Sequence, residues 1–131
     1  WISVGYSGSN QRTGATWAET RWRELKRAAD EVIAASGVNY FVLRTGLIAA
    51  PVSTEPLVSI TQNSAAADAE LPCNSLAFLL TGAALSGAAN RSRVTVRVEP
   101  QGLTLQSAVQ AFRLLRQDSP VLGTTRRMRD A

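Results

Sequence analysis

The apolar positions change period several times along the chain, and each change marks an element. Trp1 to Tyr6 (W-I-S-V-G-Y) has the β-propensity of a short strand, and the S-G-S-N-Q-R-T-G run after it reads as a loop. Thr16 opens T-W-A-E, a capping box in which the Thr16 hydroxyl accepts from the Glu19 amide and the Glu19 carboxylate returns to the Thr16 amide. This predicts a helix from Trp17 to Ser36, stopped by Gly37. At about 100° per residue, Trp22, Leu25, Ala29, Val32 and Ile33 share one face, with Arg23, Glu24, Arg27 and Glu31 opposite. Val38 to Arg44 is a near-continuous apolar run, as expected of a strand buried on both faces of a parallel sheet.

After a loop containing Pro51 and Pro56, Leu57 to Thr61 reads as a short strand and Ala65 to Leu71 as irregular chain. Pro72 to Leu85 is alanine-rich and apolar on most sides, so a largely buried helix is predicted. Arg93 to Val98 alternates, with Val94, Val96 and Val98 on one face of a strand. Leu105 to Gln117 carries a helical stripe of Leu105, Val109, Phe112 and Leu115 or Arg116, with Thr104 as its N-cap. The expected order β-α-β-(β)-α-β-α makes an α/β domain with a mostly parallel sheet over residues 1–117. Residues 118–131, with Arg126, Arg127 and Arg129, read as a basic flexible tail.

A chain of 131 residues holds one domain. No apolar run of 18 residues exists, so no membrane-spanning helix is expected. One cysteine, Cys73, allows no intrachain disulfide and fits a reducing compartment. The absence of histidine excludes a Ser-His-Asp triad and removes the commonest metal ligand within these residues. The net charge of +4 allows anionic partners, but the cations are scattered and no aromatic-plus-basic motif accompanies them. Nucleic acid is therefore not the expected partner. The alanine- and arginine-rich composition and the non-Met start fit a protein of a chloroplast or mitochondrion after leader removal.

Lys26 is the candidate with the sharpest local signal. It lies about 40° from Trp22 and about 20° from Ile33, inside the apolar arc of its helix. A lysine there snorkels, pairs with Asp30, or faces a cleft beside the sheet. Arg44 ends a buried strand and either faces a ligand phosphate or carboxylate or pairs with Asp30 or Glu31. Cys73 has no histidine to activate it and reads first as a buried structural thiol. Asp68 and Glu70 read as a carboxylate pair or as part of a solvated loop.

These segments resemble the second half of an atypical, NmrA-like or extended short-chain dehydrogenase/reductase. Such proteins read Y-x-x-x-K, then a helix ending S-G, then a strand ending R-P-G. Here W-R-E-L-K spans Trp22 to Lys26, S-G-V-N-Y spans Ser36 to Tyr40, and L-R-T-G spans Leu43 to Gly46. The resemblance covers roughly residues 1 to 112 and is diagnostic over about the first 48. It implies a Rossmann-like NAD(P)-binding fold in which Lys26 holds the nicotinamide ribose and Ser7 or Ser9 orients a substrate carbonyl. Arg44, Thr45 and Gly46 would line the nicotinamide.

The departures fall on the chemistry. Trp22 stands where the family has its catalytic tyrosine, and an indole has no titratable hydroxyl to act as general acid. Thr45 replaces the proline. The Gly-rich dinucleotide fingerprint is missing, and with it the pyrophosphate cradle at a helix N-terminus. The first expectation is therefore a non-catalytic accessory or scaffold subunit working with other protein subunits. The second is a fragment of an NAD(P)-binding oxidoreductase completed by a segment not present here. The third, resting on charge alone, is a basic module for anionic partners.

Overall fold

The computed structural model describes residues 1–6, 16–62 and 70–118. Nine elements follow in order: β1 (Ile2–Tyr6), α1 (Trp17–Ala35), β2 (Phe41–Thr45), β3 (Leu47–Ala49), β4 (Val58–Thr61), β5 (Glu70–Pro72), α2 (Cys73–Ser86), β6 (Ser92–Val98) and α3 (Leu105–Phe112). The main sheet has the order β1-β2-β6-β4. β1, β2 and β6 are parallel, with Gly5 beside Arg44 and Arg44 beside Thr95, and β4 runs antiparallel to β6. β3 and β5 form a separate parallel pair. The arrangement is a partial Rossmann-like fold: a mostly parallel sheet flanked by helices.

Local sequence explains the elements. The Thr16 hydroxyl accepts from the Glu19 amide at 3.2 Å and starts α1. Gly37, at φ +83°, follows its C-cap Ser36. Phe41, Val42 and Leu43 of β2 are fully buried, as a central parallel strand requires. Phe41 and Leu43 face α2 and α3 together with Val94 and Val96 of β6. There they meet Leu76, Leu79 and Ala83 of α2 and Leu105, Ala108 and Phe112 of α3. The Phe41 and Phe112 rings sit 4.8 Å apart at 44°. Each of the larger side chains here, Leu or Phe, stabilises the fold by about 2 kcal/mol when removed from water. Gly82 lets the two helices approach, since a Cβ there would lie 2.6 Å from a Val109 methyl.

The opposite face is built differently, and here the expected orientation of α1 is reversed. Asp30 and Ala34 are the buried residues of α1, and Arg23, Lys26, Arg27 and Ile33 are half-buried. Trp22, Leu25, Ala29 and Val32 are exposed. The cause lies in the sheet beneath. Alternation places Gly5, Arg44, Arg93 and Thr95 on the face that α1 covers, and charges there need polar partners from the helix.

Three further expectations are corrected. β2 begins at Phe41, leaving Val38 exposed before it. The Leu47–Ala49 and Glu70–Pro72 strands, three residues each, are too short to show a period. α3 ends at Phe112 instead of reaching Gln117. Beyond it Leu114 is exposed, and polar anchors draw the chain away from the helix path. The Gln62 side chain donates to the Arg116 carbonyl at 2.7 Å and accepts from its amide at 3.0 Å. Asp118 accepts from Tyr40 Oη at 2.6 Å and from Arg93 Nε at 2.7 Å.

Candidate functional site

Parallel α/β sheets bind ligands beyond the carboxyl ends of their strands. Lys26 can be placed relative to that end from its neighbours. Ala34 packs with Tyr40 and Val42, and Asp30 reaches Arg44 with its Oδ2 about 3.2 Å from where a Gly5 Cβ would stand. Moving toward the start of α1 thus moves toward the ends of β1 and β2. One further turn, about 6 Å, brings Lys26 level with Thr45 and Gly46. Its Nζ lies 5.9 Å from the Trp22 ring centroid, within cation–π range. Trp22 and Lys26 therefore share the same part of the helix surface, half-exposed at the carboxyl end of the sheet.

Arg44 is turned to Asp30, with Nε 3.4 Å from Oδ2, and both side chains are largely buried. Of the two partners the sequence left open, Asp30 takes Arg44, while Glu31 pairs with Arg93 at 3.5 Å. Burial pushes the Asp30 carboxyl above its ordinary value, opposed by the charges of Arg44, Arg93 and Lys26. The absence of a Cβ at Gly5 leaves room for this pair, because the Arg44 Cγ approaches that position to 3.1 Å. Thr45 is buried, and its Oγ1 has no hydrogen-bond partner. Gly46 follows, half-exposed.

The other candidates do not join this group. Ser7, Ser9 and Asp68 lie outside the described residues, as do Arg126, Arg127 and Arg129. Cys73 is a free thiol, exposed as the first residue of α2, so the expected burial is corrected. Glu70 is exposed at the start of β5. Among the described residues no group of three His, Cys, Asp or Glu side chains is placed to hold a metal ion. No described helix is long and apolar enough to cross a membrane.

Sequence reasoning missed two features. One is the Tyr40–Asp118–Arg93–Glu31 cluster at the opposite, amino end of the strands. Burial raises the Tyr40 pKa above the ordinary tyrosine range, and its hydrogen bond to Asp118 adds to the rise. A tyrosine in an apolar run gave no signal of a carboxylate 78 positions later. The other is a cleft of about 190 Å³ between Val52, Ser53 and Glu55, the first turns of α2 at Asn74 and Ser75, and Leu105. Asn74 holds one wall, donating to the Val52 carbonyl at 2.8 Å and accepting from its amide at 3.2 Å.

No family model and no curated protein matches the chain. Solved structures do. A protein assigned as an NAD-dependent epimerase/dehydratase, from Bacillus halodurans, superposes with a TM-score of 0.70 at 16% identity, over 83% of this chain and 50% of that one. The oxidoreductase ylbE from Lactococcus lactis superposes with a TM-score of 0.68 at 11% identity, over 89% of this chain and 53% of that one. The chain has the Rossmann-like fold of these proteins. It spans about half the length of each.

Proposed function

We propose that this chain is the carboxyl-terminal half of an NAD(P)-binding, short-chain-dehydrogenase-like fold, completed by a nucleotide-binding half that pairs along β1. The observation that carries this reading is the edge position of β1. Among the described residues β1 bonds to β2 alone, although it is parallel and its Ser3 Oγ is buried without a partner. Parallel strands are ordinarily covered and flanked on both sides. The half-length coverage of the structural neighbours supports the same reading.

The residues present fit one end of a nicotinamide dinucleotide and not the other. One helical turn beyond Asp30, Lys26 would reach the carboxyl end of the sheet, where Thr45 Oγ1 has no hydrogen-bond partner and Gly46 is half-exposed. The glycine-rich turn that would cradle a pyrophosphate is not among the residues of this chain. When bound, the cofactor supplies hydride transfer chemistry. Within this chain, Lys26 would donate to the nicotinamide ribose, and Thr45 and Gly46 would offer close backbone approach. Arg44, held by Asp30, would stiffen the end of β2 from below. Trp22 supplies an indole N–H and a ring face, which orient a partner but transfer no proton.

Trp22 also favours a second reading, a non-catalytic accessory or scaffold subunit that keeps the fold and the lysine without the acid. One titration separates the two. The chain is expressed with the residues encoded before Trp1, and NADPH binding is followed calorimetrically. The first reading predicts saturable binding, weakened about tenfold by Lys26→Ala. Absence of a glycine-rich strand–turn–helix in that segment, or binding indifferent to Lys26→Ala, contradicts it.

A further inference from the structure

Two cavities on the α2–α3 side of the sheet meet at Phe78, which borders both. The first is the cleft already described, with Ser53, Glu55, Asn74 and Ser75 as its polar wall. The second, about 360 Å³, lies between α2 and α3 along Gly82, Leu85 and Val109. Gly82 and Val109 meet at its floor. Asn74, Phe78, Gly82 and Leu85 share one side of α2, so the two cavities form a single trough along that helix. From Asn74 to Leu85 the trough runs about 16 Å. α3 follows the same course, with Leu105 in the first cavity and Val109 in the second.

Polarity changes along the trough, and that selects the occupant. The cleft end holds one charged side chain, the Glu55 carboxylate. It abuts the start of α2, whose N-cap Pro72 offers no side-chain acceptor to the first-turn amides. Ser75 lines the same end although it is only 2% exposed. The groove end is apolar, and none of the residues lining it is charged. A head group in the cleft must accept from helix amides and donate to Glu55. A carboxylate or phosphate head is repelled by Glu55, and an ammonium has no acceptor for the amides. A neutral hydroxylated head satisfies both. From Phe78 to Leu85 the groove is about 10 Å long and holds an extended chain of roughly eight carbons. A docked protein helix would cover the groove and leave the cleft unfilled, whereas an amphiphile fills both. We propose that the trough binds a neutral single-chain amphiphile of the monoacylglycerol type, its hydroxyls in the cleft and its acyl chain between α2 and α3. The site lies on the other face of the sheet from Lys26, so its occupancy does not depend on NAD(P) binding.

Calorimetric titration of the full 131-residue chain with 1-monoacylglycerols of roughly six to twelve carbons, each below its critical micelle concentration, tests it. Affinity should rise about twofold per methylene up to roughly eight to ten carbons and then level, because the groove is open to solvent on one side and ends at Leu85. Leu85→Glu should weaken binding of the longest ester about fivefold and leave that of the shortest unchanged, with far-UV circular dichroism showing the variant folded. Glu55→Gln should admit decanoate, which the native chain refuses. No saturable binding at any length, the result expected if a protein helix fills the groove instead, overturns the proposal. An affinity indifferent to chain length or to Leu85→Glu overturns it as well. Decanoate bound by the native chain as tightly as the neutral ester, or still refused by Glu55→Gln, overturns the assignment of the head group.

Discussion

The two faces of the sheet are built on opposite principles. Under α2 and α3 the contact is apolar: Phe41, Leu43, Val94 and Val96 meet Leu79, Ala83 and Phe112, all nearly inaccessible to water. Under α1 a small apolar cluster of Ala34, Tyr40 and Val42 sits beside charged contacts: Asp30 meets Arg44, Glu31 meets Arg93, and Asp118 ties Arg93 to Tyr40. The first face holds the domain together, because area removed from water is additive and non-directional. The second fixes where α1 sits, since a buried ion pair breaks even on stability but penalises misplacement of either partner. The candidate cofactor end belongs to the second face. An amphipathic helix whose polar side is spent inward must leave its apolar side outward, and that connects the charged interior to the exposed Leu25 and Val32.

Breaking the two faces should therefore give different outcomes. The largest loss is expected on the apolar face: Phe112→Ala should cost about 4 kcal/mol in urea denaturation, by lost transfer and the cavity left against Phe41. On the charged face, Asp30→Ala strands Arg44 and should cost about 3 kcal/mol, whereas replacing both by Leu and Met should recover much of that. Leu25→Ser, on the exposed side of α1, should change stability by less than about 0.5 kcal/mol. Equal losses at Phe112 and Leu25 would erase the distinction between the faces.

Acidity sharpens the comparison further. The native Asp30 carboxyl titrates above its ordinary value of 3.8, so the folded chain holds that proton after the unfolded chain has lost it. Its contribution to stability is greatest in acid and declines as pH rises through that window. Tyr40 behaves alike at the alkaline end, because its native pKa is also raised, from 10.0. Stability should decline as pH rises above about 10. Tyr40→Phe should flatten the alkaline limb, and Asp30→Asn the acid one, in thermal melts across pH. An unchanged alkaline limb in Tyr40→Phe would contradict a Tyr40 hydroxyl that is buried and bonded to Asp118.

Much of the fold was legible from periodicity and capping alone. The Thr16 cap, the Gly37 stop, the buried Phe41–Leu43 run and the alternating Val94 and Val96 each state a local rule, and each holds in the structure. Orientation was not legible in the same way. The wheel of α1 shows two faces, but which one turns inward depends on Arg44 and Arg93, which arrive on other elements. The end of α3 was missed for a similar reason. Gln62 and Tyr40 pull residues 116–118 away from the helix path, and nothing within 113–117 announces those anchors. At the candidate site, Lys26 was found by its misplacement among apolar neighbours. Extrapolating it toward the carboxyl end of the sheet needed the packing of α1 on β1 and β2.

Hydrogen exchange of the β1 amides tests the central claim, that β1 is an unfinished inner strand, most directly. In this chain alone, the amides of residues 2–6 that point away from β2 should exchange far faster than those of β2 and β6. In the chain extended by the residues encoded before Trp1, the same amides should become as slow as those of β2. Protection of the outward β1 amides in the isolated chain, or no gain in the extended one, would contradict a sheet that continues past β1.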